Sequence, residues 1–100
     1  MNIEIEFVHL KQSDRIEEHV KEKLEKIQRK YNWITNAAVF LKKENTSDKN
    51  HCECQIRLSV PGPQLYAQAI SAEFIPAINE AIDDLTVQLQ KKKDKMTEKR

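Results

Sequence analysis

The chain has 100 residues, 39% apolar and 33% charged, with one glycine and two cysteines. This is enough for one domain with a modest core, and so little glycine with so much charge suits long solvated helices better than a turn-rich all-β chain. The net charge of +1 excludes a strongly basic whole-molecule field, so any attraction to nucleic acid has to come from a local patch.

Ile3, Ile5 and Phe7 alternate with Glu4 and Glu6, which predicts a first strand with one dry face and one wet face. The polar run Lys11 to Asp14 ends it, and Ser13 is placed to cap a helix whose first turns carry Asp14, Glu17 and Glu18. Ile16, Val20, Leu24 and Ile27 step by four, four and three, so helix one is expected from Asp14 to about Tyr31, with Asn32 ending it. Ala37 to Lys43 reads as a second strand, with Val39 and Leu41 on one side and Ala38 and Phe40 on the other. Asn45 to Asn50 is a polar loop.

Cys52, Cys54, Ile56, Leu58 and Val60 alternate with polar residues in a third strand. Pro61-Gly62-Pro63 must turn the chain, and Leu65, Ala67 and Ala69 mark a fourth strand paired with the third. Pro76 has no N–H and fits only a first turn, so helix two begins near Glu73 or Phe74 and runs to Met96. Its apolar stripe, Phe74, Ile78, Ile82, Leu85 and Leu89, stops where Lys91, Lys92, Lys93 and Lys95 begin.

The expected fold is α+β, a β-α-β-β-β-α two-layer sandwich with both helices on one face of a four-stranded sheet. Residues 1–96 form the single domain and residues 97–100 a short basic tail expected to be disordered. Glu4, Glu6, Glu53, Gln55, Arg57 and Tyr66 would face water on the uncovered side, a mixed-charge surface without paired aromatics for base stacking.

No apolar run reaches the length of a membrane span, and the N-terminus lacks the pattern of a secretory signal. Two cysteines without an export signal point to the cytoplasm and to free thiols. With His51 they resemble part of a metal site, but four ligands are normally needed, and both lie in phase with Ile56 and Leu58 as core residues. His9 and His19 have no nucleophile partner, and no serine stands in a Gly-x-Ser-x-Gly setting. No enzyme, metal or cofactor is expected.

Charge is left over at one end. Residues 1–90 carry a net −3 and residues 91–100 a net +4. Lys23, Lys26 and Lys30 share a stripe on helix one. That stripe alone suits a solvated face, but the terminal cluster, with Asp94 as its internal acid, suits phosphate. A different reading is a protein-interaction module using the acidic stretch Glu80–Asp84 and the exposed sheet.

The element order and helix two together resemble the short ribosome hibernation promoting factors, grouped with the ribosome-associated inhibitor protein Y and the sigma-54 modulation proteins. The resemblance rests on Glu73, Ala77-Ile78-Asn79 and the run Leu85 to Lys95, whose family pattern is Leu-x-x-Gln-Leu then Lys-x-Lys-Asp-Lys. Lys23-Leu24-Glu25-Lys26-Ile27 and Leu41-Lys42 match in helix one and strand two. It implies a fold laid out like a double-stranded RNA-binding domain, and a monomer that binds the small ribosomal subunit and intact ribosome. It implies occupation of the decoding channel, where rRNA phosphates are bound and tRNA and mRNA are blocked under starvation or stationary phase.

The RNA contacts it implies are Lys23, Lys26, Lys91, Lys93 and Lys95, with Lys42, Lys92 and Gln88 beside them. Short members promote or prevent ribosome pairing according to subtype, and no extended tail follows helix two here, as in the promoting one. The chain departs from the pattern at Glu73, Ile75 and Asn79, and at Glu17, Asp84 and Val87, where basic residues are usual.

Overall fold

The computed structural model describes residues 1–45 and 50–98. The order is β1 (Asn2–Val8), α1 (Asp14–Lys30), β2 (Asn36–Asn45), β3 (Asn50–Ser59), β4 (Leu65–Ser71) and α2 (Phe74–Glu98). Most of the predicted polar loop, residues 46–49, lies outside the described residues, as do Lys99 and Arg100 of the predicted tail. Thr97 and Glu98, assigned to that tail by the sequence reading, close α2.

The sheet order is β1-β2-β3-β4, with β1 and β2 parallel and the other neighbours antiparallel. Parallel strands need a long crossover, and α1 supplies it. Ser13 caps α1 as its sequence predicts: its Oγ accepts from Ile16 N–H at 3.3 Å and its carbonyl from Glu17 N–H at 2.9 Å. The last turn closes one residue before Asn32, where Tyr31 N–H donates to Ile27 O. In α2 Pro76 occupies the third helical position, where its missing N–H costs no intrahelical bond. At the β3–β4 connection Gly62 takes φ +88°, a conformation strained for any residue with a Cβ.

The two helices run in the same direction, and this positions the site. β1 and β4 point the same way in the sheet, since two antiparallel steps separate β2 from β4. Each helix follows one of these strands and returns over the same face. Two hydrogen bonds fix the pairing: His19 Nε2–H donates to Asn79 Oδ1 at 2.8 Å, and Tyr31 O–H donates to Gln90 Oε1 at 2.9 Å. Both helix C-termini therefore arrive at one end of the sheet.

The core lies between this helical layer and the inner face of the sheet. Val20 and Leu24 of α1, Val39 and Leu41 of β2, Cys54, Ile56 and Leu58 of β3, and Ile78, Leu85 and Leu89 of α2 are all buried. Among the described residues no charged side chain is buried. α2 packs on β3 and β4, while Ile3, Ile5 and Phe7 of β1 touch the core and remain partly exposed.

Candidate nucleic-acid interface

His19, Lys23, Lys26 and Lys30 recur on α1 at intervals of four, three and four, so they share one flank. The His19–Asn79 bond identifies that flank as the one beside α2. On α2, Asn79, Thr86, Gln90 and Lys93 recur at seven, four and three and face back towards α1. The groove between the helices thus carries Lys23, Lys26 and Lys30 on one wall and Lys93 on the other. Its basic end is held by Tyr31, a buried ring that caps α1 and meets α2 at Gln90. Lys30 Nζ lies 5.6 Å and Lys93 Nζ 5.9 Å from the centre of this ring, and Trp33 meets it edge-on at 5.8 Å.

The other lysines of α2 turn towards the sheet edge. Lys91, Lys92 and Lys95 border a groove with Pro63 and Leu65, and the Lys92 ammonium lies so close to Gly62 that an added Cβ would meet it at 3.3 Å. Among the described side chains of α2 Leu89 is the last buried one, and the helix continues about 14 Å beyond it at 1.5 Å per residue. Two helix C-termini point their partial negative charge at this tip, which favours some lysine there. One or two cations would offset each dipole, and the tip carries Lys30, Lys91, Lys92, Lys93 and Lys95 together with Arg29.

Two of the sequence-predicted residues stand apart. Lys42 lies on the uncovered face of the sheet, opposite the helices, paired with Glu44 at 2.9 Å. That pair raises the Lys42 pKa and lowers that of Glu44, each chiefly through their mutual hydrogen bond. Gln88 donates from Nε2 to Tyr66 O of β4 at 2.9 Å and to Asp84 Oδ1 at 3.3 Å, so its amide fastens α2 to the sheet edge. Arg29, Tyr31 and Trp33 were not singled out from the sequence; the run Arg29-Lys30-Tyr31-Asn32-Trp33 at a helix end was the available signal.

The positions where basic residues are usual in the family, Glu17, Asp84 and Val87, fall outside the groove between the helices, whereas the departing Asn79 lies on its wall, bound to His19. Glu17 is on the opposite flank of α1, bound to Lys21 and Gln12 at 3.0 Å each, and the Lys21 bond chiefly lowers its pKa. Asp84 is on the β4 side of α2, and Val87 is exposed.

The cysteines lie at the far end, on the core side of β3. Cys52 Sγ–H donates to Ala72 O at 3.4 Å, and burial raises its pKa. Burial pushes the Cys54 thiol up to about 12, which holds it as a thiol and disfavours the thiolate a metal would need. Among the described residues no three potential ligands cluster, and no helix is long and apolar enough to cross a membrane.

The arrangement has relatives. The chain is 30% identical over 95 residues to the ribosome hibernation promoting factor of Pseudomonas putida, covering 95% of this chain and 89% of that protein. Its fold superposes on a ribosomal subunit interface protein from Coxiella burnetii with a TM-score of 0.81 and 23% identity, covering 94% and 99% of the two chains. The Thermus thermophilus Protein Y N-terminal domain gives a TM-score of 0.77 and 26% identity, covering 91% and 98%. The family profile described as sigma 54 modulation protein / S30EA ribosomal protein matches residues 3–97. With sequence, element order and sheet topology in agreement, the chain belongs to the sigma 54 modulation protein / S30EA ribosomal protein family.

Proposed function

We propose that this protein is a cytoplasmic ribosome hibernation factor that seats, as a monomer, in the decoding channel of the small subunit and silences it by occupancy. Its family consists of ribosome-associated proteins that are not enzymes. The mechanism is steric: the folded domain fills space that tRNA and mRNA require, and no bond is made or broken. Affinity comes from lysine ammonium groups on rRNA phosphates, with release of the counterions that those phosphates held.

The observation that carries this reading is the convergence of both helix C-termini, which gathers lysines from two distant stretches of sequence. Lys23, Lys26, Lys30 and Lys93 form one contact surface along the groove, and Lys91, Lys92 and Lys95 form a second beside the Gly62 turn. Gln88 serves by holding α2 in place, and Lys42 stands outside the principal surface.

The test is the triple variant Lys91→Glu, Lys93→Glu, Lys95→Glu. All three side chains are exposed, so the helical signal and cooperative melting should persist while co-sedimentation with ribosomes is lost. Retained binding by a folded triple variant would remove the terminal cluster from the interface.

A further inference from the structure

β1 is an edge strand, bonded to β2 on one side and to no described strand on the other. Asn2 N–H donates to Thr35 O at 3.2 Å, which sets the phase of the ladder. In a parallel pair, alternate residues direct both backbone groups at the partner strand. The N–H and C=O of Asn2, Glu4 and Glu6 therefore serve β2, and those of Ile3, Ile5 and Phe7 point out of the sheet. At the opposite edge α2 packs against β4 and its Gln88 caps Tyr66 O. Among the described residues no side chain caps β1 in this way. An open row of donors and acceptors is a template for another strand.

The side chains specify which strand. On the outer face Glu4 and Glu6 are exposed, and their lateral neighbours on β2 are Ala38 and Phe40, neither of which can neutralise a carboxylate. Asn2 Nδ2 donates to Glu4 at 3.3 Å, and no described cation pairs with either acid. On the inner face Ile3, Ile5 and Phe7 pack on the core with one side still open. A groove of about 510 Å³ lies over β1 and its neighbour β2, bordered by Ile5, Phe7, Leu10, the two carboxylates and residues 38–40.

We propose that the β1 edge receives an extended segment of a partner protein in which basic and apolar residues alternate, adding a fifth strand. Its basic residues would stand beside Glu4 and Glu6, and its apolar residues would complete the cover over Ile3, Ile5 and Phe7. A second copy of β1 is the wrong occupant. Antiparallel pairing centred on Ile5 would set Glu4 of each strand opposite Glu6 of the other, and like charges so placed repel. The lysines of the helices take no part, so this surface is independent of the ribosome reading.

The probe is a capped seven-residue peptide alternating Lys and Val, titrated into the isotope-labelled full chain, with a Glu/Val peptide as control. Backbone amide shifts should concentrate at Ile3, Ile5 and Phe7, with slowed hydrogen exchange there, and the control should leave them unmoved. The variant Glu4→Lys/Glu6→Lys should bind the basic peptide about tenfold more weakly and prefer the acidic one. The triple lysine variant above should bind as the parent does. Shifts centred on Glu80–Asp84, equal binding of both peptides, or an unchanged preference in the double variant would overturn the proposal. Self-association of the free protein through β1 would also overturn it.

Discussion

Tyr31 is the residue on which the basic tip depends, and replacing it in two steps separates its parts. Tyr31→Phe removes only the O–H donated to Gln90. A net intramolecular hydrogen bond is worth about 0.5–1.5 kcal/mol. Gln90 is exposed and also donates to Asp94, so water can replace the lost partner and the cost should fall in the lower half of that range. Tyr31→Ala removes a ring that is 1% exposed and packed against Trp33. Deleting a buried aromatic costs roughly 3–5 kcal/mol, out of a typical domain stability of about 5–15 kcal/mol. In a domain of this size about 1 kcal/mol moves the midpoint by roughly 4–8 °C.

Urea unfolding followed by circular dichroism should give an unchanged slope and a small shift for Phe, with a severe loss for Ala. Ribosome binding by the Phe variant should stay within about twofold of the parent, because Lys30 and Lys93 still have the ring beneath them. A cost below about 1.5 kcal/mol for Ala, or equal costs for Phe and Ala, would refute the account of Tyr31 as a packed anchor.

Gln88→Ala should lower stability by about 1 kcal/mol and speed amide exchange in β4, with ribosome affinity nearly unchanged; normal stability with lost binding would instead make Gln88 an RNA contact. Lys42→Gln should leave ribosome affinity and its salt dependence unaltered, since its ammonium stands on the other face of the sheet. Cys54 sets an alkaline limit. Its folded pKa of about 12 exceeds the ordinary thiol value of about 8.5, so in this window the unfolded state loses a proton that the folded state keeps. The stabilisation is whole below the unfolded value and erodes by about 1.4 kcal/mol per pH unit as pH rises towards 12. Urea titrations of the parent and Cys54→Ala between pH 8 and 10.5 should show a shallower decline in the variant, and parallel declines would contradict this.

Periodicity made most of the fold legible. The four-four-three spacing of Ile16, Val20, Leu24 and Ile27 defined a buried stripe, and the alternation from Cys52 to Leu58 separated core from surface in β3. Pro76 located the start of α2 because its chemistry permits few other positions. Strand ends were less legible: β2 begins at Asn36 and reaches Asn45, since ladder hydrogen bonds extend past the residues whose side chains show a pattern.

The site was legible only as separate pieces. Spacing put Lys23, Lys26 and Lys30 on one stripe and Lys91 to Lys95 on another, but their meeting depends on the sheet order and the shared direction of the helices. The roles of Gln88 and Lys42 depend on which face of α2 meets β4 and which face of β2 meets the core. A motif match reports neither. Tyr31 read as a helix terminus because one aromatic beside a lysine carries no periodic signal, although both helices converge on it.

The central claim is that lysines gathered at one end of the domain bind rRNA phosphates. The most direct measurement is the affinity for purified small subunits across a salt series. If Lys23, Lys26, Lys30, Lys91, Lys92, Lys93 and Lys95 all engage phosphate, log K against log salt should fall with a slope of roughly −5 to −6. Binding should then weaken about a thousandfold between 50 and 200 mM salt, and the triple Glu variant should flatten the slope. A slope near zero, or no binding at low salt, would contradict the account.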